Sequence, residues 1–134
     1  MNKLIINICA GKDSFGAYSA NGEGIYGAGD SINECQADAL KSIAEIKQTL
    51  PEEEWPAILK GEYEIEWHYD VQSLLLHYGM IMSLSGLEKI TGVHQKQLWA
   101  YMHGRTNPRR QQVDKIETAI RGFGDELSRL HLMK

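Results

Sequence analysis

The sequence predicts an α+β protein in two parts, a β-β-β-α-β module over residues 1–69 and an all-α module of about five helices over residues 70–134. Three observations carry that prediction. Before Asp70, apolar residues come in short runs and one strict alternation around a single long helical stripe; after it, every stripe has helical spacing. Glycines and prolines fall where those patterns stop. Charge divides the chain too: residues 1–62 carry 5 Lys against 10 Asp or Glu, net −5, and 63–84 add net −3. Residues 85–111 carry 5 Lys or Arg against Glu88, net +4, and 112–134 balance at 4 against 4, giving −4 in all. The 43% apolar content is enough for real cores, and no run of 18 apolar residues exists.

In chain order, Leu4 to Cys9 reads as a strand closed by the Gly11-Lys12-Asp13-Ser14 turn, with Phe15 to Ala20 as its antiparallel partner. Asn21 to Gly24 makes a second turn, and Ile25 to Ala28 a third short strand. Ser31 and Glu34 then form a capping box for a helix over Ile32 to Thr49, with Ile32, Cys35, Ala39, Leu40, Ile43, Ile46 and Leu50 recurring at helical spacing. Pro51 and Glu52 to Glu54 open a loop. Tyr63, Ile65, Trp67 and Tyr69 alternate with Glu64, Glu66 and His68, predicting a half-buried strand with an acidic face.

Asp70 caps a helix lined by Leu74, Leu75, Tyr78 and Ile81. Ser85 and Glu88 predict a capping box for the next helix, which Gly92 ends; a further short helix carries Leu98 and Tyr101 and is closed by Gly104. Two helices of about two turns joined by a tight bend make a helix-turn-helix pattern. Asn107 and Pro108 are expected as N-cap and first residue of a helix through Val113, Ile116 and Ile120. Gly122 and Gly124 are expected to interrupt it, leaving a last short helix at Leu127 and Leu130.

The helix-turn-helix pattern predicts the DNA-reading residues. Gln95 bridges an adenine edge, Lys96 reaches guanine, and Ala100 meets a thymine methyl; Gln97 and Trp99 lie on the same short helix. His103, Arg105, Thr106, Arg109 and Arg110 follow it, where backbone phosphates would be contacted. Glu62, Glu64 and Glu66 form a candidate surface for a basic protein partner. None of the five histidines has metal-ligand spacing with another ligand, and Gly27-Ala28-Gly29-Asp30 fits a strand-to-helix turn rather than a nucleotide loop. No catalytic residue, cofactor or metal is therefore expected. Cys9 and Cys35 predict free thiols in a reducing compartment, and Met1 to Cys9 is too short for a signal peptide, so the expected location is the cytoplasm, with no membrane partner.

Two resemblances follow. Residues 85–110, with GLEKITGV and LWAYMHGRTNP, resemble the helix-turn-helix of the Cro and phage-repressor class, with His94 standing where that class places a Ser or Thr cap. In that class the base-reading positions correspond to Gln95, Lys96, Trp99 and Ala100. Residues 4–47, with GIYGAGD before SINECQADALKSI, resemble the HicB antitoxin family, although Glu23-Gly24 replaces the usual Pro-Gly. That resemblance implies a partial RNase H-like N-terminal domain that neutralises a small basic, mRNA-cleaving HicA-like toxin. It also implies a DNA-binding domain that represses the shared operon. A palindromic operator implies a homodimer or tetramer. A stand-alone transcriptional regulator, whose N-terminal domain dimerises or senses a small ligand, remains open as a second reading.

Overall fold

In the first strand the even-numbered residues Leu4, Ile6 and Ile8 are wholly buried while their neighbours are half-exposed, the period of a sheet covered on one face. The computed structural model describes residues 1–134 and is α+β, with one four-stranded mixed sheet and five helices. The strands are β1 (Asn2–Ala10), β2 (Phe15–Ser19), β3 (Tyr26–Gly29) and β4 (Tyr63–Tyr69), in the order β3-β2-β1-β4. β1, β2 and β3 run antiparallel; β4 returns parallel to β1 through the crossover helix α1 (Ile32–Thr49). Expected bounds shift by only a residue or two: β1 is longer at both ends, and β3 begins at Tyr26 because Ile25 is buried in the turn before it.

The α1 capping box forms as expected in its first half, Ser31 Oγ accepting the Glu34 N–H at 3.1 Å. Glu34 reaches back one residue further than the motif predicts, to the Asp30 N–H at 2.9 Å. The helix buries Ile32, Cys35, Ala39 and Ile43 against Leu4, Ile6, Ile8 and Ala17. This close approach depends on β3, where a β-carbon at Gly27 would stand 2.7 Å from the Ala39 backbone nitrogen. The segment after α1, expected as plain loop, contains two single 3-10 turns, Glu52–Glu54 and Ala57–Leu59, and Leu59 closes the core.

Register places Tyr63, Ile65 and Trp67 on the α1 side, and Glu64, Glu66 and His68 on the opposite, uncovered face with Lys3, Asn7, Tyr18 and Tyr26. The chain divides into two compact units, Met1–His77 and Tyr78–Lys134. Helix α2 (Val71–Tyr78) therefore lies almost wholly with the sheet, whereas the sequence reading opens its second domain at residue 70. Asp70 explains the association: its carboxylate accepts the Ala10 N–H at 3.3 Å and caps α2 through the Ser73 N–H at 2.8 Å.

The second unit holds α3 (Leu84–Thr91), α4 (Gln95–Met102) and α5 (Arg110–Ser128). Three expectations are corrected there. The cap of α3 is Ser83, whose Oγ accepts the Gly86 N–H at 3.0 Å, so the box between Ser85 and Glu88 does not form. Helix α5 begins at Arg110 behind an extended Arg109, not at Pro108. It then runs through Gly122 and Gly124 without a break, so residues 70–134 hold four helices rather than five. Each interior glycine costs only about 1 kcal/mol relative to alanine, too little to end a 19-residue helix with a continuing apolar stripe. No helix is long and apolar enough to cross a membrane.

Candidate nucleic-acid interface

The bend between α3 and α4 is fixed by local hydrogen bonds. Gly92 takes φ 74°, a left-handed conformation that side chains resist, and its N–H donates to the Glu88 carbonyl at 2.8 Å. Buried Thr91 donates from Oγ1 to the Leu87 carbonyl and accepts the Val93 N–H. Lys115 of α5 adds a bond from Nζ to the Gly92 carbonyl at 3.4 Å. Val93, Leu98 and Tyr101 turn inward, burying one side of α4 and leaving its first turn outside.

That first turn has two partners for its otherwise orphaned N–H groups. His94 Nδ1 accepts the Lys96 N–H at 3.1 Å, so His94 caps the helix. The Gln95 N–H donates to Glu88 Oε1 at 2.9 Å, so α3 clamps the start of α4. Glu88 and Lys115 are positioning residues that the sequence reading missed as such. Their contacts cross between helices, Glu88 to the start of α4 and Lys115 to the bend at Gly92, and no local sequence pattern marks either one.

The expected DNA-reading residues fall into three groups. Gln95, Lys96 and Trp99 are exposed on α4, Trp99 at 43%, beside a shallow cleft of about 340 Å³ lined with Leu84 and His94. Gln97 and Ala100 are half-buried, and Gln97 Nε2 donates to Thr106 Oγ1 at 3.3 Å, so Gln97 joins the start of α4 to the segment that follows it. The third group is the exposed exit. His103 stacks on Trp99 with ring centroids 4.1 Å apart and donates from Nδ1 to the Trp99 carbonyl at 2.9 Å. Gly104, at φ 68°, turns the chain so that the Arg105 N–H reaches the Ala100 carbonyl at 2.9 Å and its guanidinium lies 5.5 Å from the Trp99 ring centre. Trp99 is thus braced by its own helix end and stays at the surface. Arg109 and Arg110 are exposed at the start of α5.

The residues expected to meet a basic protein lie on the first unit, and two are already paired. Glu64 bonds the Lys3 ammonium, which raises the lysine pKa, and Glu66 accepts from His68 Nε2 at 2.7 Å. Glu62 is exposed just before β4. β4 is an edge strand of the sheet, so Glu64 and Glu66 lie at its margin. Cys9 and Cys35 are free thiols, half-buried and fully buried, and burial pushes both pKa values up. Comparison with family models, curated proteins and solved structures returned no match.

Proposed function

We propose that the chain is a DNA-binding antitoxin of the HicB type, non-catalytic and autoregulatory. In this reading α3 and α4 are a helix-turn-helix, and the β-β-β-α-β unit is a partial RNase H-like scaffold that holds a small basic toxin. The observation that carries the DNA half is the surface of α4. Gln95, Lys96 and Trp99 project from one exposed turn, and Arg105, Arg109 and Arg110 follow within a few residues. Side chains that reach base edges are therefore flanked by cations that hold phosphates. The unit Tyr78–Lys134 carries 9 Lys or Arg against 5 Asp or Glu, net +4, while Met1–His77 carries 5 against 13, net −8. One chain thus presents a surface for a polyanion and another for a polycation.

The test is selection of duplexes from a random pool by the full chain, followed by titration of the selected sequence and a scrambled one. Gln95→Ala and Lys96→Ala should each cost about 1 to 3 kcal/mol on the selected duplex and relax its sequence preference, while Arg105→Ala should weaken both duplexes about equally. Two half-sites, if selected, should be centred about 34 Å apart. An unaltered footprint from the Gln95→Ala/Lys96→Ala protein would remove α4 from the interface. The toxin half is tested by growth rescue on co-expression with a small basic protein encoded beside this chain. Failure to rescue, with DNA binding intact, leaves a stand-alone regulator.

A further inference from the structure

The two margins of the sheet are finished differently. At β3 the outward N–H groups of Tyr26 and Ala28 donate to Ser42 Oγ at 3.3 Å and Asp38 Oδ2 at 2.9 Å, so side chains of α1 close that edge. β4 has no such cover. Its even-numbered residues face β1, in step with the Asp70 N–H that donates to the Ile8 carbonyl at 3.1 Å. The N–H groups of Ile65 and Trp67 therefore point outward, and neither meets an acceptor in the chain. The register of β4 with β1 is continuous over seven pairs, and the strand has no proline, lysine or bulge to blunt its edge.

We propose that this edge takes up an extended segment of a basic partner as a fifth strand, the two faces of β4 selecting its sequence. On one face Glu64 and Glu66 stand exposed, with Glu62 just before them, in a unit of net charge −8. On the other face α1 packs over β3 and β2, so Ile65 and Trp67 at the far margin stay half-buried. A strand laid alongside sends alternate side chains to each face, so the sequence that fits alternates Lys or Arg with apolar residues. Backbone hydrogen bonds hold such a segment and the alternating side chains make it specific. A second copy of β4 does not fit. Paired antiparallel about Ile65, it sets Glu64 of each chain against Glu66 of the other, and like charges directly opposite repel. The seven residues Tyr63–Tyr69 span about 23 Å at ~3.3 Å each, which sets the length of the added segment. The proposal rests on the basic-partner half of the proposed function and adds how that partner is held.

The test is an NMR titration of the nitrogen-15-labelled full chain with a peptide of about nine residues alternating Lys and Val, long enough to cover β4. The Ile65 and Trp67 amide signals should move and their hydrogen exchange slow, while those of Tyr26 and Ala28 stay in place. N-methylation of the peptide at alternate residues, made in both phases, removes the donors on one side of its strand at a time. One phase should weaken binding at least about tenfold and the other leave it within about twofold, a distinction that charge attraction alone does not make. A peptide alternating Glu and Val should not bind. Equal binding by both phases, or shifts centred away from β4, overturns strand addition and leaves a basic partner held elsewhere. Slow exchange of the Ile65 and Trp67 amides in the free chain overturns it too, because the edge is then already taken by a second copy. No binding of the Lys–Val peptide also overturns strand addition, and growth rescue then judges the partner reading on its own.

Discussion

At Gly27 and Gly29 a β-carbon would meet the backbone of α1 at 2.7 Å or less, whereas at Gly122 that space is open. The same substitution should therefore have opposite signs. Gly27→Ala has to lift α1 from the sheet, and overpacking of this kind costs about 1 to 3 kcal/mol, so the unfolding temperature should fall by roughly 3 to 15 °C. Gly122→Ala removes backbone entropy from the unfolded chain and fills nothing, so it should stabilise by about 0.5 to 1 kcal/mol. Scanning calorimetry of both variants separates the two cases. Cys35 gives a second residue-scale expectation. Its thiol is buried and its pKa raised, first by burial and then by the nearby Asp38 charge, so the folded state holds the proton more tightly than the unfolded one. That contribution is complete below the ordinary thiol value of 9.0 and is lost as pH rises above it. Native protein at pH 8 should resist alkylation at Cys35, and urea midpoints should fall as pH rises above the ordinary thiol value of 9.0.

At the scale of elements, legibility follows the range of the forces involved. Helix α1 and strand β4 were readable because periodicity and burial agree over many residues: Ile32, Cys35, Ala39 and Ile43 on one, Tyr63, Ile65 and Trp67 on the other. The start of α3 was misread because Ser83 and Ser85 offer equivalent hydroxyls, and tertiary contact decided between them. Glu88 was drawn away to the Gln95 N–H, leaving Ser85 without a box. The length of α5 was misread because a glycine is a weak penalty and the stripe beyond it is strong. Glu88 also yields a prediction. Glu88→Ala frees the Gln95 N–H and loosens α4 at its first turn, so it should cost about 1 kcal/mol in stability and reduce affinity for selected and scrambled duplexes alike. Glu88→Gln keeps an acceptor oxygen in place and should restore both. If alanine changes neither stability nor binding, the bond across the bend does not hold α4.

For the whole molecule the decisive quantity is the charge split, net −8 on Met1–His77 against +4 on Tyr78–Lys134. A duplex approaching the basic unit is repelled by the acidic one whatever their mutual arrangement, provided the screening length is comparable to the size of a domain. At 0.01 M salt that length is about 30 Å, the diameter of a small domain, and at 0.15 M it is about 8 Å. Removing acidic charge should therefore raise affinity for scrambled DNA at low salt and have little effect at physiological salt. Glu62→Gln/Glu64→Gln/Glu66→Gln tests this without touching α4. It should bind a scrambled duplex about two- to five-fold more tightly near 0.01 M salt, the gain fading by about 0.15 M. In the proposed reading the same linkage would couple the two partners: a basic protein that neutralised the acidic unit would strengthen DNA binding by the factor by which DNA strengthened its own. An unchanged low-salt affinity in the triple variant would mean that these carboxylates, one of them paired with Lys3 and another hydrogen-bonded to His68, exert no net field on the duplex.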